Sequence, residues 1–164
     1  MNKLFLKKNF LYFLIVLFIF LADRISKLYI LSILENLGIV NININSYINF
    51  ILAWNSGIGF GLLSFDQSQI YNLITALIVF INFIIVYLII KLKDIRVFFF
   101  LIILGGSLGN LFDRIYYSAV LDFIDISYND YHWFIFNVAD IFISTGIICL
   151  IFAELLNYKK NNEN

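Results

Sequence analysis

The apolar runs of this chain are too long and too many to hide inside a soluble core. Phe10–Ala22 and Leu28–Leu34 flank a short polar patch, Ile70–Ile90 carries no charge, and two further runs cover most of 97–115 and 134–156. A helix needs about 20 largely apolar residues to cross a bilayer. The expected spans are therefore about 10–31, 70–90, 97–115 and 134–156. Of the 164 residues, 62% are hydrophobic and 13% charged, against about 25% charged in an average soluble domain. The fold expected is a single integral membrane domain over 1–164 with an all-α core. Lys3, Lys7 and Lys8 resemble the start of a signal peptide, but no small-x-small cleavage site follows, so one retained helix is expected. The zero net charge gives no reason to expect nucleic acid. Cys149 is the one cysteine, which excludes an internal disulfide or a cysteine metal cluster and suits a small buried apolar residue.

The basic residues orient the spans. Lys3, Lys7, Lys8, Lys91, Lys93, Arg96, Lys159 and Lys160, eight of the eleven Lys and Arg, fall at the termini or in the turn between the second and third spans. The connections 32–69 and 116–133 have none. Positive residues favour the cytoplasmic side, so both termini are expected there and the two basic-free connections outside. Within 32–69, Val40–Asn45 alternates apolar and polar residues, the period of a strand. Tyr47–Trp54 is β-branched and aromatic, and the glycines of Gly57–Gly61 suit a turn. A small extracytoplasmic β-cradle, about 38–62, is expected between helices 1 and 2, able to receive a peptide by strand addition.

Against this background the polar residues of 105–142 stand out. Asn110, Asp113, Arg114, Asp122, Asn137 and Asp140 crowd into one stretch, although carboxylates are costly near hydrocarbon. At a rise of ~1.5 Å per residue, Asp23 lies ~20 Å from the cytoplasmic edge and Asp113 and Asp140 each ~24 Å. Polar residues on three helices thus converge just inside the outer face of a core about 30 Å thick, and Asp122 can reach them from the outer connection. Gly105 and Gly109 form a small-xxx-small face for helix packing. The cluster Asp23, Arg24 and Lys27 has a blander reading, as snorkelling interfacial side chains.

Two aspartates without a cysteine or serine nucleophile suggest water activation by a carboxylate pair. One takes the proton of water while the other, protonated, polarises the scissile carbonyl, and mutual repulsion keeps one proton on the pair. Asp122, Asp113 and Asp125 all remain candidates for the partner of Asp140 on this reasoning. His132, beside Trp133, reads as an interfacial surface residue. A metal, if present, would be a hard oxygen-binding ion.

The patterns Asp23-x-x-x-Lys27, Asn55-x-Gly57-x-x-Phe60-Gly61, Gly105-Gly106-x-x-Gly109-Asn110-x-x-Asp113-Arg114, Val120-x-Asp122-Phe123 and Phe136-Asn137-x-Ala139-Asp140 together resemble lipoprotein signal peptidase, the bacterial signal peptidase II family. The resemblance runs from Asp23 to about Gly146. It implies four transmembrane helices, the outer β-cradle, and an aspartyl endopeptidase of the cytoplasmic (inner) membrane. The implied substrate is a prolipoprotein whose cysteine already carries a diacylglyceryl group, cut just before that cysteine in lipoprotein maturation. It further implies a catalytic dyad of Asp122 and Asp140, with Asn55, Gly57, Asn110, Arg114 and Asn137 binding substrate or shaping the site. Asp23, Lys27, Gly106 and Asp113 fall on supporting positions. No cofactor or metal is implied, membrane lipids are the other partner, and a monomer is expected. Gly59 stands where the family usually has Ala, Leu121 replaces a common Val, and the Pro often preceding the Phe-Asn-x-Ala-Asp block is absent; none of these removes a reactive group. Two other classes remain: a four-span transporter, with its essential acid at Asp23, and an assembly protein with no essential acid.

Overall fold

A computed structural model describes residues 3–57, 67–128 and 131–162. In chain order the elements are α1 (Lys3–Leu37), β1 (Asn41–Asn43), β2 (Ile48–Asn55), α2 (Gln67–Lys91), α3 (Arg96–Tyr117), β3 (Val120–Tyr128), β4 (Tyr131–Phe136) and α4 (Val138–Asn162). Among the described residues, Gln69–Lys91, Arg96–Tyr117 and Val138–Asn157 are each long and apolar enough to cross a membrane. Large apolar side chains such as Phe18, Phe83, Ile90, Ile115 and Phe152 point outward, as in a helix whose solvent is lipid.

The third helix is the hub. It packs against each of the other three, and its glycines permit this. A Cβ on Gly106 would lie 2.6 Å from the Ala139 carbonyl oxygen of α4, and one on Gly109 would lie 2.6 Å from Asp23 Oδ2 of α1. At the end opposite the sheet, Arg96 pairs with Asp94 and Glu154, tying the start of α3 to the last turns of α4. Ile85 of α2 packs with Ile103 and Leu104 of α3.

The sheet is antiparallel, in the order β1-β2-β3-β4. It is larger than the expected cradle between helices 1 and 2, because the connection after α3 supplies half of it. By sequence no strand is expected in that aromatic, acidic connection, yet Val120–Tyr128 pairs on both sides. Residues 58–62 of the expected β region lie outside the described residues, as do Gly59, Phe60 and Gly61. The fourth helix begins at Val138 rather than Phe134, since Phe134–Phe136 belong to β4. The first helix overruns 10–31 at both ends and stops at Gly38, whose φ of +74° suits glycine and whose N–H donates to the Leu34 carbonyl at 2.8 Å.

Packing fixes the sheet to the helices. Leu121 and Phe123 of β3 are buried with Ile30 of α1 and Val40, and Phe50, Leu34 and Val138 pack around them. In β2 the register shifts between Phe50, opposite Ile124, and Ala53, opposite Asp122. The extra residue is a bulge, which twists a strand and re-aims the side chains beyond it. Asn55 is one of those side chains.

Candidate active site

Each polar side chain is placed by a different element. Asp122 comes from the buried strand β3, where Ala53 sits opposite and Asn55 two residues beyond. Its Oδ2 accepts from Asn55 Nδ2 at 3.0 Å, and its Oδ1 from Asn137 Nδ2 at 2.6 Å. Asn55 Oδ1 in turn accepts from the N–H of Gly57 at 2.8 Å. Gly57 has φ +81°, a left-handed turn that glycine adopts without strain.

Asp140 is held by the start of α4. Asn137 precedes the helix, its Oδ1 accepting from Asp140 N–H at 3.0 Å, while Asp140 Oδ2 accepts from Asn137 N–H at 3.1 Å. This reciprocal pair is a capping box in Asn/Asp form, and it puts a carboxylate where the helix dipole favours negative charge. Asp140 Oδ1 accepts from Asn110 Nδ2 of α3 at 2.8 Å. Asn137 therefore touches both carboxyl groups. Burial pushes the Asp122 carboxyl above its ordinary value, against the Asn55 and Asn137 hydrogen bonds; the charge of Asp140 adds a smaller upward push.

Beneath this pair lies a buried quartet. Asp23, Arg24, Lys27 and Asp113 are at most 7% exposed, which overturns the snorkelling reading of the first helix. Lys27 Nζ reaches Asp23 Oδ2 at 2.9 Å and Asp113 Oδ2 at 2.6 Å, and Arg24 reaches Asp23 Oδ2 at 3.1 Å and Asp113 Oδ1 at 2.6 Å. The two acids also take backbone donors: Asp23 Oδ1 from Ala139 N–H at 3.0 Å and Asp113 Oδ2 from Leu121 N–H at 3.2 Å. The quartet thus grips the residue before each carboxylate, Leu121 before Asp122 and Ala139 before Asp140. Two charges of each sign satisfy one another, which is what makes such burial tolerable.

Arg114 takes a separate place. Its guanidinium lies over the Tyr71 ring, 5.4 Å from the centroid, and Tyr71 Oη donates to the Arg114 carbonyl at 2.8 Å. A Cβ on Gly57 would come within 2.9 Å of Arg114 Nη1, so Arg114 borders the turn next to Asn55. Sequence reasoning missed Tyr71, whose uncharged helix gave no signal, and left Arg24 off the site. Asp125 stands apart: it is fully buried, with His132 Nδ1 2.8 Å and Asn49 Nδ2 3.3 Å from its Oδ2. His132 is largely exposed, as expected, but that carboxylate anchors it.

The family described as Signal peptidase (SPase) II matches residues 15–156. The chain belongs to the signal peptidase II family. It is thus a member of a protease family, and its apolar helices make it a membrane protein. A protein of Pelagibacter ubique (strain HTCC1062) described as lipoprotein signal peptidase is 50% identical over 164 residues, 99% of either chain. One of Francisella tularensis subsp. novicida (strain U112), so described too, is 38% identical over 95% of this chain and 98% of its own. Two solved structures, each titled a bacterial membrane enzyme determined by the in meso method, share the fold at 28% identity. They give TM-scores of 0.69 and 0.71, covering 92% and 88% of this chain and 90% and 92% of theirs. The signal peptidase II match encloses every polar residue placed above, from Asp23 to Asp140.

Proposed function

We propose that this chain is an aspartyl endopeptidase of the bacterial inner membrane. It removes the signal peptide from diacylglyceryl-modified prolipoproteins, cutting just before the lipidated cysteine. All four helices span the membrane in this reading, with the termini cytoplasmic and the sheet at the outer face. The observation that carries it is Asn137 bonded to both Asp122 and Asp140. Two carboxyl groups on a shared, preorganised support are what acid–base hydrolysis of a peptide needs.

In the mechanism, one carboxylate takes a proton from water as it attacks the scissile carbonyl. The other donates a hydrogen bond to the carbonyl oxygen and then protonates the leaving amine. Asn55 and Asn110 hold the carboxyl groups and present polar edges to the peptide, with Arg114 beside the Gly57 turn. No metal or cofactor takes part, and the enzyme works as a monomer. The test is incubation of the purified protein in lipid with a diacylglyceryl-modified prolipoprotein, read by product mass. Release of a mature chain starting at the lipidated cysteine supports the reading. An intact precursor contradicts it.

A further inference from the structure

Lys27 is 1% exposed and its charge is not needed in either proton-transfer step. An ammonium has three donors and no acceptor. All three are engaged, by Asp23 Oδ2, Asp113 Oδ2 and, at 3.0 Å, Asn110 Oδ1. Because Lys27 can only donate, it fixes the Asn110 amide with its oxygen toward α1 and its Nδ2 toward Asp140, 2.8 Å away. We propose, building on the dyad reading above, that Lys27 is a positioning residue that keeps Asp140 the ionised member of the pair through Asn110, leaving the shared proton on Asp122.

The hydrogen bonds around the four carboxyl oxygens carry this assignment. Asp140 Oδ2 faces the Asn137 backbone N–H, which cannot turn over. Asp140 Oδ1 faces an amide that Lys27 has locked as a donor. Asp122 Oδ1 faces Asn137 Nδ2, locked because Asn137 Oδ1 is spent on the N–H of Asp140. That leaves Asp122 Oδ2. Among the described residues, its donor, Asn55, is held in orientation by one exposed bond, from Gly57 N–H. Turning that amide over offers an acceptor to a protonated Oδ2 at the cost of one solvent-replaceable bond. A proton on either Asp140 oxygen would instead face a locked donor.

The charges nearby agree. Asp23 and Lys27 of α1, Arg24 beside them and Asp113 of α3 sum to zero, and Asp122 is the remaining acid facing Asp140. The quartet therefore acts on Asp140 less through net charge than through the amide it orients, with the start of α4 adding its dipole.

Solid-state 13C NMR of the full chain in lipid bilayers reads this directly, with the Cγ signals of Asp122 and Asp140 assigned through their own backbones. As the pH is lowered from alkaline values, the Asp122 signal is expected to reach the acid position while Asp140 is still at the carboxylate position. The reverse order or equal intermediate shifts would overturn the assignment. In Lys27→Gln the Asp140 signal is expected to titrate about one pH unit higher, the scale of one lost charge-assisted interaction. Where that variant does not accumulate, Asn110→Leu, which removes the donor to Asp140 Oδ1, reads the same relay. An Asp140 titration unchanged in the folded variant would remove Lys27 from its role. The spectra need no substrate, so this outcome is separate from whether the lipidated precursor is cut.

Discussion

Asn137 donates from Nδ2 to Asp122 Oδ1 at 2.6 Å, across the junction where β4 ends and α4 begins. Its side chain caps the helix that carries Asp140 and also fastens the strand that carries Asp122. One side chain thus serves both the start of α4 and the site.

The elevated Asp122 carboxyl sets a pH dependence. An acid whose folded value is raised contributes stability that is fully present below its unfolded pKa, about 3.9, and lost as pH rises through the folded value. Activity that needs its proton falls over the same window. The alkaline limb of kcat/KM is therefore expected above the ordinary carboxylate range, checked by rate profiles in buffered bilayers. A limb confined to the ordinary range would contradict the burial effect.

Breaking the quartet should cost stability rather than chemistry alone. Arg24→Met leaves Asp23 and Asp113 with one cation between them, and removing one member of a buried pair typically costs about 3–5 kcal/mol. The variant should unfold earlier in a denaturant titration of the lipid-reconstituted protein. Arg96→Met, at an exposed cluster where ion pairs contribute little, should barely move the midpoint.

Gly106→Ala tests helix contact. The added methyl would lie 2.6 Å from the Ala139 carbonyl oxygen, a backbone atom. Overpacking of this kind costs about 1–3 kcal/mol, and here it pushes on the first turn of α4, beside Asp140. Lowered thermal stability together with a reduced kcat is expected. An unperturbed melting curve would mean that α3 and α4 can separate freely at this level.

Substrate selection should follow depth. In the proposed orientation the polar pair lies near the outer ends of the helices, and a diacylglyceryl anchor would hold the scissile bond at a matching level; two buried chains contribute about 0.8 kcal/mol per CH₂ to residence. In one bilayer, an unlipidated but fully inserted precursor should be cut far more slowly than the lipidated one. Equal rates would show that the lipid does not set position.

The helices were legible because their apolar runs are long. The second half of the sheet was not. Phe134–Phe136 merges with the apolar pattern of α4, and short apolar runs do not reveal their period. Asn137 with Asp140 three residues on was the available signal, a helix-start pattern that puts the boundary after Phe136. Residues 110–140 marked the site by their cost in a membrane, yet spacing alone could not separate Asp122 from Asp125. Their partners differ in the structure: Asp122 meets Asn55 and Asn137, whereas Asp125 meets Asn49 and His132. Arg24 escaped because the Asp23-x-x-x-Lys27 pattern leaves its position open, although it bridges the same two acids as Lys27.

The most direct measurement is cleavage of the lipidated precursor by Asp122→Asn and Asp140→Asn, each purified from membranes beside Asp125→Asn. Removing either dyad carboxyl should abolish detectable release of the signal peptide while the protein remains folded and inserted, and Asp125→Asn should stay active. Wild-type turnover by Asp122→Asn or by Asp140→Asn would contradict the account.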